Sequence, residues 1–174
     1  AQGATLGLVA RREDRLAALA ASIPGSHRCY VLDVTDGAAL QAAARDFIAG
    51  GCPDVVIANA GISAGTLAHE AGDLHAFRRI FETNVLGVAQ TFQPFIAAMR
   101  ARGSGRLAGI ASVAGIRGLP GAGAYCASKS ATITYLESLR VELRGSGVEV
   151  VTIAPGYIAT PMTAVNDYPM PFLM

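Results

Sequence analysis

Apolar residues in this chain gather into five short runs: "ATLGLVA" (4–10), "RCYVLDV" (28–34), "DVVIANA" (54–60), "GRLAGIAS" (105–112) and "VEVVTIAP" (148–155). Each is bounded by turn residues or charge, and runs of this length predict buried parallel strands. Between them, apolar positions recur at helical spacing over 12–22, 37–49, 73–101 and 123–144, the third long enough to be two helices run together. Strand and helix therefore alternate. Parallel neighbours need long crossovers, which are usually helices, so the pattern predicts one α/β domain over 1–174 with helices on both faces of a parallel sheet. No repeat, low-complexity tract or linker interrupts it. The last stretch, "YIATPMTAVNDYPMPFLM", contains Pro161, Pro169 and Pro171 and is expected to be loop with at most a helical turn.

Composition narrows the function classes. At 174 residues and 52% hydrophobic, the chain can bury a substantial core. A net charge of +1 with scattered arginines offers no footprint for nucleic acid. Mean hydropathy is +0.40, yet no apolar run reaches membrane-spanning length, so a soluble protein without membrane contact is expected. Cys29, Cys52 and Cys126 are odd in number and lack metal or paired spacing, which predicts reduced thiols in small core or helix positions of a cytoplasmic protein. His27, His69 and His75 also lack metal spacing and are expected at the surface.

Each strand ends in polar, charged or glycine-bearing residues: Arg11 and Arg12 after the first, then Asp33 and Val34, then "NAGIS", then Ser112, then "PGYIAT". Any one of these is ordinary turn and cap chemistry. Five together point to one pocket beyond the carboxyl ends of the strands. The segment "AYCASK" (124–129) adds chemistry, because Tyr125 and Lys129 lie one helical turn apart on one face and Lys129 is the only lysine in the chain. A phenol normally titrates near about 10. A fixed positive charge beside it favours the phenolate, which makes Tyr125 a candidate general acid or base. The Ser112 hydroxyl, ending the preceding strand, can donate to or accept from a carbonyl or alcohol oxygen held beside that phenol. Tyrosine and lysine at this spacing are more often a plain surface pair, but the glycine-rich "VAGIRGLPGAGA" joins Ser112 to Tyr125 and lets backbone approach a ligand.

Taken in order, "NAG" (59–61), "NVLG" (84–87), "SVAG" (112–115), "YCASK" (125–129) and "PGYIAT" (155–160) resemble the motifs of the short-chain dehydrogenase/reductase family, and the resemblance covers nearly the whole chain. It implies a Rossmann-type doubly wound parallel sheet and hydride transfer between a nicotinamide cofactor and a small carbonyl or alcohol substrate. By that similarity Tyr125 is the acid/base, Lys129 lowers its pKa and bonds the nicotinamide ribose, Ser112 positions the substrate oxygen, and Asn84 holds a water linking Lys129 to solvent. Asn59, Ala60 and Gly61 match the segment passing the adenosine ribose, Asp33 and Val34 the positions beside the adenine. Pro155, Gly156, Ile158 and Thr160 match the segment that grips the carboxamide. Ala10, rather than an acid, ends the strand at 4–10, and Arg11 and Arg12 suit a 2′-phosphate, so NADP(H) is favoured over NAD(H). The family also implies a homodimer or homotetramer. No metal is implied.

The chain departs from the pattern at its start. Relatives open with a strand and a glycine-rich turn that cradles the pyrophosphate, whereas no such turn precedes residue 4 and no G-x-G-x-x-G occurs. In the strand order 3-2-1-4-5-6 the absent strand lies between those at 4–10 and 54–60. The resemblance therefore implies a natural protein that extends by one βα unit upstream and at least a strand downstream. Two rivals stand beside the oxidoreductase. A serine hydrolase would use Ser112 as nucleophile, but neither a G-x-S-x-G elbow nor an S-x-x-K arrangement is read in the chain. A catalytically silent cofactor sensor or scaffold of the same fold would need no acid/base set. Met162, Tyr168, Met170, Phe172, Leu173 and Met174 in the tail suggest an apolar substrate or, as the weaker alternative, a membrane-surface contact.

Overall fold

The computed structural model describes residues 3–160, 163–164 and 173–174. Five strands and five α-helices alternate: β1 (Gly7–Ala10), α1 (Glu13–Ser22), β2 (Arg28–Val31), α2 (Gly37–Ala49), β3 (Val55–Ala58), α3 (Asp73–Phe81), α4 (Gly87–Arg102), β4 (Gly105–Ile110), α5 (Gly123–Glu142) and β5 (Val148–Ile153). All pairings are parallel, in the orders β1-β2 and β3-β4-β5. This is a Rossmann-like α/β fold.

The elements follow from local chemistry. Asp36 caps α2 by accepting from the Ala39 amide at 3.0 Å, and Glu13 and Asp14 place negative charge on the first turn of α1. The expected helix over 73–101 is two helices joined by a π turn, Glu82–Leu86, whose extra residue leaves no mark in apolar spacing. The strands are shorter than their apolar runs, because at the strand ends the regular ladder gives way to single cross-strand bonds, such as that from the Ala111 amide to Ile153 O at 2.7 Å beyond the end of β4.

The core lies under β3-β4-β5, where Val56, Leu107 and Val150 meet Phe92 and Met99 of α4 and Leu136 and Leu139 of α5. Burial on both strand faces, expected throughout, holds for Leu107, Ala108 and Gly109 of β4 but not for β3. There Val56 and Ala58 are buried while Val55 and Ile57 are 47% and 56% exposed. The reason is topological: β1 and β3 do not pair, and a cavity of about 1380 Å³ is lined by both. The division falls where the family order places a further strand. Contacts between α2 and α4 connect the two halves.

One tight crossing fixes the entry to β5. Gly147 has a φ of 78°, and a Cβ there would collide with the carbonyl oxygen of Gly103 at the end of α4. Gly147→Ala is expected to cost about 2 kcal/mol or more in denaturant unfolding. Gly72→Ala, at a helical φ of −63° with open space around the added methyl, should stay within about 0.5 kcal/mol.

Candidate active site

The cavity between the sheet halves runs the length of β1 and β3, from Leu6 and Asp54 before their amino ends to the carboxyl end of the sheet, where residues following all five strands line it. Ser112, Tyr125 and Lys129 line it, as do all the residues matched to the cofactor: Arg11 and Arg12 after β1, Asp33 and Val34 after β2, Asn59, Ala60 and Gly61 after β3, and Pro155, Gly156, Ile158 and Thr160 after β5. Asn84 stands behind this lining, fully buried.

Ser112 follows β4 in extended conformation, 8% exposed, and its Oγ accepts from the Ala114 amide at 3.1 Å to start a single 3₁₀ turn, Val113–Gly115. That turn presses on α5. A Cβ on Gly115 would lie 2.7 Å from the backbone carbon of Lys129 and 2.9 Å from the Ser130 amide nitrogen, so only glycine lets the strand end approach the helix carrying Tyr125. The glycine of "SVAG" is the sequence signal for this contact, although spacing alone gives it no partner.

Lys129 is 4% exposed. Its Nζ donates to the Ile110 carbonyl at 2.8 Å and lies 5.8 Å from the centroid of the half-buried Tyr125 ring. Amine and ring thus share one side of α5, and both face the cavity. No ion pair among the described residues includes this lysine. Burial without a counter-ion disfavours the charged form, and it pulls the ammonium down from 10.5 to about 8.

Behind the pair lies a buried polar network. Asn84, in the π turn, accepts from the Ile62 amide at 2.8 Å through Oδ1, and through Nδ2 it donates to the Ile62 carbonyl at 2.9 Å and to Ser128 Oγ at 3.0 Å. Ser128 and Thr132 belong to this network, and sequence reasoning misses both. They sit on α5 in a mixed stretch that also holds Lys129, Ser130 and Thr134, and their partners lie 44 and 48 residues away.

At the other end of the cavity Arg11 Nη1 pairs with Asp33 Oδ2 at 3.3 Å, while Asp33 Oδ1 accepts from the Thr35 amide and hydroxyl, both at 2.9 Å. The Thr35 bonds, and then the Arg11 charge, hold the Asp33 carboxyl below its ordinary range. Arg12 makes no ion pair with the described residues. Val34 also packs against Gly87 at the start of α4. Thr163, which carries no sequence signal, donates to Ile158 O at 2.6 Å and ties the segment after β5 to itself. Of the apolar tail, Met162, Tyr168, Met170 and Phe172 lie outside the described residues, and Leu173 and Met174 are exposed.

Three details correct the sequence reading. His27 is not a surface residue: its Nδ1 accepts from the Leu6 amide at 3.3 Å and its Nε2 is buried without a partner. Cys29 is exposed on β2, while Cys52 is partly buried and Cys126 buried. A G-x-S-x-G string does occur, at 61–65 around Ser63, but no helix follows it before Asp73, so it forms no strand-turn-helix elbow. Among the described residues no cluster of His, Cys, Asp or Glu could hold a metal ion, and no helix is long and apolar enough to cross a membrane.

A family profile described as short chain dehydrogenase matches residues 1–169. The chain belongs to the short-chain dehydrogenases. It is 46% identical to an uncharacterised oxidoreductase of Myxococcus xanthus over 82% of this chain and 56% of that one. It is 36% identical to a 2-dehydro-3-deoxy-L-rhamnonate dehydrogenase (NAD(+)) of Sphingomonas over 93% of this chain and 65% of that one. Among solved structures, a gluconate 5-dehydrogenase from Burkholderia cenocepacia in complex with NADP and tartrate superposes with a TM-score of 0.84 at 29% identity, over 95% of this chain and 67% of that one. This short-chain dehydrogenase thus spans about 56% to 65% of the two curated relatives' length.

The lone lysine makes its environment measurable. With lysine labelled at Cε and Nζ, the short-chain dehydrogenase should show one side-chain NMR signal, titrating near 8 instead of 10.5. The folded-state value is the lower one, so between the two the unfolded chain binds more protons. Through this group, stability therefore rises with pH from about 8 to about 10.5 and is flat below. Lys129→Met should remove that rise from pH-dependent unfolding curves, and a wild-type midpoint near 10.5 would contradict the burial.

Proposed function

We propose that this chain carries the catalytic residues of an NADP(H)-dependent oxidoreductase acting on a small, apolar carbonyl or alcohol substrate. The observation that carries the reading is a buried ammonium without a counter-ion, held at 2.8 Å by Ile110 O, 5.8 Å from the Tyr125 ring, in the cavity that Ser112 also lines. Fit to a nicotinamide dinucleotide is supported at two points. At Gly61 a Cβ would come within 3.4 Å of Lys129 Nζ, so the missing side chain leaves room beside the amine. Arg12 supplies a cation not engaged by any described acid.

In this reading Arg11 and Arg12 receive the 2′-phosphate, with Arg11 kept in place by Asp33. Asp33, Val34, Asn59, Ala60 and Gly61 line the adenosine end, and Pro155, Gly156, Ile158 and Thr160 the nicotinamide end. The bound dinucleotide supplies or takes up the hydride. Ser112 holds the substrate oxygen through its hydroxyl. Tyr125 gives that oxygen its proton in reduction and takes it back in oxidation. Lys129 favours the phenolate by its charge and bonds the ribose, and Asn84 keeps a water in line for proton return. We read residues 1–174 as one domain of a cytoplasmic homodimer or homotetramer, for which Leu86 and Val141, 54% and 72% exposed, offer apolar surface on and beside the long helices.

Reduction of a panel of aldehydes and α-diketones, followed by NADPH absorbance, tests the reading. Turnover that Tyr125→Phe lowers by about 10²-fold or more is expected. Tight NADPH binding with no turnover of any member would instead mark a sensor. Arg12→Gln should lower the preference for NADPH over NADH about tenfold or more, the worth of one charge-assisted contact, and an unchanged ratio would remove Arg12 from the phosphate site.

A further inference from the structure

Beyond Tyr125 and Lys129, α5 carries two more polar side chains that solvent does not reach, Ser128 at 0% and Thr132 at 1% exposure. A hydroxyl sealed in a core destabilises unless it is bonded, and valine has nearly the same shape. Thr132 Oγ1 has two carbonyls within reach of its single proton: that of Ser128 at 2.9 Å, a bond that many helical threonines make one turn back, and the nearer one of Asn84 at 2.8 Å, which α5 geometry alone does not call for.

Asn84 belongs to the π turn, and its peptide and side chain face different partners. The peptide carbonyl meets Thr132 on α5, while the side-chain amide grips both the N–H and the C=O of Ile62 after β3. Next to Ile62 is Gly61. A Cβ built there would lie 3.4 Å from Lys129 Nζ and 3.5 Å from Asn84 Oδ1, so the Gly61 backbone is the wall beside the ammonium. The amine lies beside the Tyr125 ring, the Ile110 carbonyl and Gly61, with the Asn84 amide across Gly61 from it. No carboxylate is paired with it, so the amine's surroundings are set by the placement of the Ile110 carbonyl and the Gly61 backbone and by the one titratable neighbour, the Tyr125 phenol.

We propose that Thr132 is a positioning residue for Lys129: its hydroxyl holds the Asn84 peptide, which sets the Asn84 amide on Ile62 and so fixes the Gly61 wall against the amine. Ser128 is the second anchor, accepting from Asn84 Nδ2 at 3.0 Å and donating to Tyr125 O at 2.7 Å. The proposal rests on reading Lys129 and Tyr125 as the reacting pair, but its test requires no turnover, so the two can fail separately.

The probe is the single labelled lysine, followed by NMR in wild type, Thr132→Val, Thr132→Ser and Thr132→Ala. Valine keeps the shape and removes the donor. It is expected to move the Lys129 midpoint by half a unit or more, about threefold in proton affinity, and to change the Cε shift, while serine restores both. A valine or alanine variant that titrates as wild type does would overturn the proposal. If valine abolishes the folded near-ultraviolet dichroism, the comparison of alanine with serine decides in the same way. Met99→Ala, a core truncation without a role at the amine, serves as control, and a shift there equal to that of the Thr132 variants would also overturn the proposal by showing that general loosening moves the lysine.

Discussion

The hydrogen bond from Lys129 Nζ to the Ile110 carbonyl is the demand around which the strand ends are arranged. An ammonium this deeply buried, without a counter-ion, costs free energy that must come from the rest of the fold. Its acceptor belongs to the backbone of β4, so the helix and the central strand of the larger sheet must be held in register for the bond to exist. Gly115 allows that approach, and Leu136, fully buried over Gly109, fills the contact between strand and helix. The same packing brings Ser112 and the Tyr125 ring to one cavity. Burial of Lys129 therefore works against stability, as it does wherever burial moves a titrating group from its ordinary range.

The polar network behind the pair explains how such a site stays single-valued. Asn84, Ser128 and Thr132 are all buried, and together they tie α5, the π turn and the loop after β3 to one another. A buried network of this kind rigidifies when its members are satisfied and is costly when one bond is lost. The π turn gives Asn84 two directions at once, toward α5 and toward the loop after β3. A regular helix over 73–101 would rotate everything beyond the inserted residue and lose one of them.

How much of the molecule is legible in its sequence depends on the range of the interaction. The helix at 37–49 is bounded correctly because Asp36 and Gly50 are local start and stop signals. Strand limits come out too long because the apolar runs include residues joined across the sheet only by single bonds beyond each regular ladder. The spacing of Tyr125 and Lys129 is legible as one turn of one helix, and the strand-end residues fall at one end of the parallel strands because topology alone puts them there. Lys129's burial is not, because its acceptor is a backbone carbonyl 19 residues away that no side-chain pattern encodes. Thr132 reads as an ordinary helix residue and His27 as a surface one for the same reason: their partners, Asn84 O and the Leu6 amide, are tertiary.

The arrangement makes one structural demand above the others, that the buried amine and the phenol address the same ligand. A crystal structure of the chain with bound NADP+ tests it most directly. The nicotinamide ribose is expected within hydrogen-bond reach of Lys129 Nζ, with the Tyr125 and Ser112 hydroxyls on the open face of the nicotinamide ring. A dinucleotide seated away from α5, or a Lys129 side chain turned from the ribose toward another partner, would refute that shared ligand.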